Sequence, residues 1–279
     1  MAMTVLDRLG ELKASLGVSG WELRTPPFIP GYAPPVTLPG LDRLTLERTR
    51  LHPARMPGAT TWNSWVARTY VYREESTRAS VQLTIVVDRE SAAGAIDGLL
   101  LHLLQSQRKR KFVRSATTEI GDVAIEEPDA NARHFLRRNV GVSVEDYGEA
   151  KELVPHLARA VDMGLRERAN VASLAADPAK PKIVHFTANG SVVEVGGQVA
   201  IRLEVDDRHP PLAMSFHAES GSANMAKVPE EQLYFRAGPS PGKGRVSVLV
   251  INAVNLSAIA AFDIDITAVR RGVDSERLR

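Results

Sequence analysis

The spacing of apolar residues changes once along this chain, and that change restricts the possible folds more than any other feature. Before about Pro178, two stretches repeat at helical spacing: Ile96, Leu99, Leu100, Leu103 and Leu104, then Leu153, Leu157, Val161 and Leu165. Residues three and four apart share one face of a helix, so each stretch predicts a helix with one buried side. Beyond Pro178 the helical spacing disappears and apolar residues fall at every second position, as in "RVSVLVINA" (245–253). That is the period of strands. Two separately folded bodies are expected, and 279 residues are enough for two cores.

Within the first body, Thr4 and Asp7 form a helix-capping pair. Val5, Leu9, Leu12 and Leu16 follow at helical spacing, and Gly17 ends the helix. From Trp21 to Pro57, eight prolines interrupt everything except "DRLTLERTRL" (42–51), which reads as a strand. The rest is expected to wrap a surface as extended chain anchored by Trp21, Phe28 and Tyr32. "WNSWVARTYVYRE" (62–74) and "ASVQLTIVVDRE" (79–90) read as a hairpin. On the first of these strands, Tyr70 and Tyr72 share a face while Trp65 points to the other, so core packing rather than an aromatic binding strip is expected. "EIGDVAIEE" (119–127) and "ARHFLRRNVGVSVED" (132–146) read as a second strand pair around "PDAN". Pro155 fits only the first turn of the last helix. The expected order is ββαββα with one earlier strand, an α+β domain in which an antiparallel sheet is covered by helices on one face, over residues 1–175.

Small residues and two prolines in "NVASLAADPAKPK" (170–182) place a linker at 176–182. Seven short strand candidates follow, "KIVHFTA", "VVEV", "QVAIRLEVD", "LAMSFHA", "QLYFRA", "RVSVLVINA" and "SAIAAFDIDITAV", which predict an all-β sandwich over 183–270 with a tail at 271–279. The glycine-rich "GPSPGKG" (238–244) between two of them reads as a turn. A phosphate loop needs four residues between its glycines and a Ser or Thr after its lysine, leading into a helix. Here three residues separate Gly238 from Gly242, Lys243 precedes Gly244, and a strand pattern follows.

Composition excludes several functions. Lys+Arg 35 against Asp+Glu 33 gives a net charge of +2, so contact with a nucleic acid or a membrane surface would have to rest on a local patch. The chain has no cysteine, which rules out disulfides, thiolate zinc sites and cysteine nucleophiles. No apolar run approaches the length of a membrane span, so no membrane insertion is expected. Asp7, Arg8 and Glu11 interrupt the stretch where an export signal would need an unbroken apolar segment. As written, the chain carries no export address, which favours an assembly component built in the cytoplasm; a chain shortened at its start would instead favour a secreted or envelope protein.

Charged clusters supply the candidate sites. Arg108, Lys109, Arg110 and Lys111, with Arg114 beyond, are the densest basic run. At a helix C-terminus such cations complement the backbone dipole; as a polyanion contact they would need Arg137 and Arg138 on the same face. Glu126, Glu127, Asp129 and His134 gather around the second strand pair, where they could hold a hard cation or act as an acid and base, or simply form a wet hairpin tip. Asp206 and Asp207 with His209, at a strand end in the sandwich, are a second candidate cation site. The seven histidines show no paired metal spacing, no serine sits in a nucleophile-elbow motif, and no cofactor motif is present, so no catalytic residue and no cofactor are assigned.

The stretch "KIVHFTANGSVVEVGGQVAIRLEVDD…PLAMSFHAESGS…YFRAGPSPGKGRVSVLVINAVNLSAIAAFDIDI", about residues 181 to 268, resembles bacterial immunoglobulin-like and polycystic-kidney-disease-type repeats in its order of strands and turns. It departs from them where they often carry Tyr-x-Trp and this chain has Met214-Ser215-Phe216, which leaves Phe216 as the expected core aromatic. The resemblance implies an immunoglobulin-like sandwich with a spacer or binding role, most often outside the cytoplasm. The first half resembles uncharacterised bacterial extracytoplasmic two-layer α/β modules through Ile120-Gly121-Asp122, Phe135, Arg137-Arg138-Asn139-Val140, Leu157-Ala158, Asp162 and Leu165. The expected whole is an α+β domain followed by an all-β immunoglobulin-like sandwich. Its expected function is that of a non-enzymatic binding or assembly protein with a protein partner or a second copy of itself. The alternatives are a polyanion-binding protein using 108–114 and a metal-dependent hydrolase with its site near Glu126 and His134.

Overall fold

The computed structural model describes residues 4–19, 28–29, 31–35, 41–52, 61–74, 79–88, 93–104, 111–116, 119–128, 130–146, 150–168, 180–210, 212–225 and 233–269. Contacts divide the chain into two compact units, Met1–Lys180 with Asn252–Ser257, and Pro181–Ile251 with Ala258–Arg279. Trp21, most of the proposed linker and the tail from 271 lie outside the described residues.

The first unit opens with α1 (Val5–Ser15). The Thr4 hydroxyl accepts the Asp7 backbone N–H at 3.1 Å while the Asp7 carboxylate accepts the Thr4 N–H at 2.9 Å, so two otherwise orphaned donors are satisfied reciprocally. The Thr4 hydroxyl, which donates to the Asp7 carboxylate at 2.7 Å, and the Thr4 N–H together hold the Asp7 carboxyl below its ordinary range. Gly17, at φ +62°, closes the helix, and Val18 N–H returns to the Lys13 carbonyl.

Next come β1 (Leu44–Leu51), β2 (Trp65–Glu74), β3 (Ser80–Asp88), α2 (Ala93–Leu104), β4 (Val113–Arg114), β5 (Val123–Glu126), β6 (Ala132–Arg137), β7 (Val140–Asp146) and α3 (Leu153–Arg166). The strands form one seven-stranded sheet in the order β1-β2-β3-β7-β6-β5-β4, with every neighbouring pair antiparallel.

This architecture overturns the expected ββαββα domain. The first unit is dominated by one large sheet, its described element order is αβββαββββα, and helices cover both faces. Val81, Leu83, Ile85 and Val87 of β3 pack with Val154, Leu157, Ala158, Val161 and Leu165 of α3. On the other face, Val86 of β3 packs with Trp65 and with Leu9, Ile96, Leu99, Leu100 and Leu103 of α1 and α2. Val81, Leu83, Ile85 and Val87 make one face of β3 apolar, while the other carries Ser80, Gln82, Thr84, Val86 and Asp88, of which Thr84, Val86 and Asp88 are buried as well. The bare Gly98 lets α2 lie close: a Cβ there would come within 2.6 Å of the Trp65 ring.

Residues 132–146, expected as one strand, are two. Arg138, at φ +55°, and buried Asn139 turn the chain between β6 and β7. The turn is fixed from outside. Asp122 accepts the Arg138 N–H at 2.8 Å, and the Asn139 side chain accepts from the Ile29 N–H at 2.7 Å and donates to the Ile29 carbonyl at 3.0 Å. Phe28 and Tyr32 of the proline-rich segment are buried, as anchors should be, and Tyr70 and Tyr72 lie in the α3-side core while Trp65 lies in the other.

The second unit has eight described strands: β8 (Lys182–Ala188), β9 (Val192–Glu194), β10 (Gln198–Asp206), β11 (Ala213–Glu219), β12 (Gly221–Met225), β13 (Leu233–Ala237), β14 (Gly242–Ile251) and β15 (Ser257–Thr267). They form two four-stranded sheets, β12-β13-β10-β8 and β11-β14-β15-β9. The core between them contains Phe186, Ile201, Phe235, Val246, Val248, Val250, Ile264 and Ile266. Phe216, the expected core aromatic, is only partly buried; Phe235 and Phe186 fill that role, and Phe186 meets Phe262 at 4.9 Å between ring centroids. The glycine-rich 238–241 segment joins β13 to β14 as a turn, and Gly242 adopts φ +147° where β14 begins.

The segment Asn252–Ser257 follows β14 yet belongs to the first unit. Asn255, at φ +65° and almost wholly buried, donates from Nδ2 to the Tyr32 carbonyl at 2.6 Å and to the Tyr70 hydroxyl at 2.9 Å. Leu256 enters the same core as α3. Gly31 makes room for the segment, since a Cβ at that position would come within 2.4 Å of the Val254 carbonyl oxygen.

Candidate functional site

The charged residues around β5 and β6 separate onto the two faces of the sheet. Glu126 stands opposite Arg133 and Ile125 opposite His134, and alternation along the strands sends each pair to a different side. Glu126 and Arg133 therefore face the α3 side, whereas His134 joins Ile125 and Leu136 on the α2 side. The structure brings Glu127, not Glu126, towards His134: Glu127 Oε2 lies 3.8 Å from Nε2, and both residues are buried rather than on a wet hairpin tip. Asp129 lies outside the described residues, and no three His, Asp or Glu side chains among those described come together as a cation site.

On the α2 side, His134 belongs to a buried polar row that crosses the sheet. Thr69, Thr84, Ser143 and His134 are successive cross-strand partners on β2, β3, β7 and β6. Thr69 and Thr84 share a hydrogen bond of 2.8 Å, and His52 Nε2 reaches Thr69 Oγ1 at 2.6 Å. At the other end His134 Nδ1 meets Ser143 Oγ at 3.0 Å, and Ser143 donates to Glu145 at 3.0 Å. Burial lowers the His52 pKa from its usual value, with the nearby Arg50 cation adding to the effect. The His102 ring stands edge-on to His52, 5.1 Å between centroids. Periodicity could not reveal this row, because it exists only through the register of four strands.

On the α3 side, a groove of about 140 Å³ opens between the first turns of α3 and β4, β5 and β6. Ser115, Glu119, Glu126, Arg133, Pro155 and Arg159 line it. The Ser115 hydroxyl donates to Glu126 Oε1 at 2.6 Å, and Arg159 meets Glu119 at 3.4 Å where both are well exposed. Arg133 Nη1 donates to the Ala132 carbonyl at 3.2 Å, and no carboxylate pairs with this guanidinium among the described residues.

Beside the groove, α3 is clamped to the sheet through Asp162, which is 3% exposed in its side chain. Its carboxylate accepts the Gly121 N–H at 3.0 Å, Arg137 Nη2 at 3.0 Å and Arg166 Nε at 2.8 Å. Arg137 also donates to Asp122 at 3.1 Å. These are residues on which the two-layer resemblance rested; here they fasten one helix layer to a sheet that has a second helix layer behind it.

The remaining sequence candidates are scattered. Arg108, Lys109 and Arg110 lie outside the described residues. Lys111 and Arg114 are exposed, and Arg114 donates to the Gly17 carbonyl at 3.2 Å, at the C-terminal end of α1 on the α2 side. Arg137 is on the opposite side, committed to Asp122 and Asp162, so Arg114 and Arg137 do not share a face. Asp206 is exposed at the end of β10, and the Asp207 carboxylate accepts the His209 N–H at 3.2 Å.

No helix among the described residues is long and apolar enough to cross a membrane. No protein-family model and no curated protein matches the chain. Among solved structures, it is similar at 15% identity to a nucleoside hydrolase-related hypothetical protein from Saccharophagus degradans that is associated with carbohydrate metabolism. That match covers 44% of this chain and 35% of the other, with a TM-score of 0.25. It is also similar at 12% identity to the tandem Ig repeats of Dlar, over 67% of this chain and 89% of the other, with a TM-score of 0.27. Both likenesses are too slight to bear on function.

Proposed function

We propose that this chain is a non-enzymatic assembly protein that associates with further copies of itself through the open sheet edges of its second unit. The observation that supports the reading is the state of those edges. Strands β8, β9 and β11 each border a sheet, and each turns a large apolar side chain to solvent: Val184 is 43% exposed, Val192 55% and Met214 44%. An edge strand has unpaired backbone donors and acceptors, and soluble proteins commonly guard such edges with charge, proline or bulges. Apolar side chains there favour strand addition, in which backbone bonds give affinity and side-chain contacts give selectivity.

The strand order supports the immunoglobulin-like resemblance of this unit. β8, β10, β13 and β12 correspond to the A, B, E and D strands of one immunoglobulin sheet, and β11, β14 and β15 to C, F and G of the other, with β9 added beside G. Sedimentation velocity across a range of protein concentrations tests the proposal. Reversible self-association is expected, and Val184→Lys with Val192→Lys abolishes it without changing thermal unfolding. A chain that sediments as a monomer at every concentration overturns the reading.

A further inference from the structure

We propose that the groove on the α3 side of the first unit binds a small zwitterion, an α-amino acid or a molecule of the same charge pattern. Its size sets the first limit: at about 140 Å³ it falls well below the roughly 300–1,000 Å³ of pockets for drug-sized ligands. Its charges set the second. Arg133 and Arg159 face Glu119 and Glu126, so the lining holds two cations and two anions, and a ligand with one charge of each sign matches it better than a simple anion or cation.

Arg133 provides the anion subsite. It is half-buried, it stands directly across the strand pair from Glu126, and its guanidinium makes a hydrogen bond only to the Ala132 carbonyl among the described residues. Most of its five N–H donors remain for a carboxylate, which a guanidinium receives as a paired, charge-assisted contact. Glu126 provides the opposite subsite. One of its oxygens accepts the Ser115 hydroxyl at 2.6 Å, which fixes the carboxylate, and the other has no hydrogen-bond partner among the described residues. An ammonium group fits there. The Arg159–Glu119 pair stands at the rim with both side chains more than half exposed.

Isothermal titration of the full chain with glycine and L-alanine, and with acetate and methylammonium as half-ligands, tests the assignment. One amino acid is expected to bind per chain, about tenfold or more tighter than either half-ligand. Arg133→Gln is expected to weaken glycine binding by about tenfold or more while leaving tryptophan-detected melting unchanged. Should Arg133→Gln fail to fold, Glu126→Gln is the second variant, expected to weaken glycine and leave acetate unaffected. The proposal is overturned if neither amino acid shows saturable binding at millimolar concentration, if acetate binds as tightly as glycine, or if whichever variant folds binds glycine like the parent.

Discussion

Replacing Asp162 with asparagine isolates the electrostatic clamp between α3 and the sheet. The change keeps shape and size but removes the charge that two guanidiniums share. Arg166 is 51% exposed and sits one turn away, so its share is small, about 0.3–0.5 kcal/mol for a pair at this spacing. Arg137 is another matter. Its side chain is 14% exposed and that of Asp162 3%, so after the substitution a mostly buried guanidinium keeps, among the described residues, only the partly exposed Asp122 as a counter-charge. Breaking a buried pair by removing one partner costs about 3–5 kcal/mol, and the Gly121 N–H bond weakens as well. Residual pairing with Asp122 places the expected loss near the lower end of that range.

All three tryptophans, Trp21, Trp62 and Trp65, fall in the first unit, so their fluorescence during urea unfolding follows that unit alone. Asp162→Asn should shift the fluorescence transition by about 3 kcal/mol. The double replacement Asp162→Leu with Arg137→Met, which removes both charges, should recover most of the loss. A loss below about 1 kcal/mol for Asp162→Asn, the level of an exposed pair, would refute the argument that burial makes this clamp strong.

Two further predictions use the same readout. Leu256→Ala removes a fully buried side chain from the α3-side core and should destabilise the first unit by about 2–5 kcal/mol, although the residue lies beyond β14 in sequence; an unchanged tryptophan transition would contradict its placement. Acid should weaken the first unit through His52. Burial lowers its folded pKa below the unfolded value of 6.5, so the unfolded chain binds the proton more readily, and the contribution present above pH 6.5 is lost as pH falls below it. In stability measured against pH, His52→Gln should flatten that part of the curve. Alkali acts with the opposite sign through Tyr32, whose pKa burial raises from 10.0 to about 12: stability is full below pH 10 and falls as pH rises towards 12, visible as late tyrosinate absorbance.

Individual helices were legible because local patterns met no competing signal, whereas the layering of the first unit was not. Thr4, Asp7 and Gly17 marked α1 at both ends, and the leucines of α2 and α3 fixed their buried faces. The two-sided cladding was not legible: the second face of "SVQLTIVVD" carries Ser80, Gln82, Thr84 and Asp88 beside Val86 and so reads as a solvated face, although Thr84, Val86 and Asp88 are buried in the fold. The turn at Arg138 was not legible, because a non-glycine residue at positive φ is held there by Asp122 and Asn139 through contacts made only in the folded chain. Glu126 and His134, eight positions apart in sequence, looked like one cluster until register placed them on opposite sides. Nothing local in the sequence sets Asn255 apart, and only the tertiary fold gives its amide two partners at Tyr32 and Tyr70.

The assignment of Asn252–Ser257 to the first unit has a consequence for how the protein is made. A ribosome delivers the chain from its first residue onwards, so everything up to Lys180 emerges while the piece that fills the space beside Gly31 has yet to be translated. Until it arrives, Tyr32 and Tyr70 lack their amide partner and the core lacks Leu256. Of the two units, the one that leaves the exit tunnel first is thus completed only after most of the second has been made.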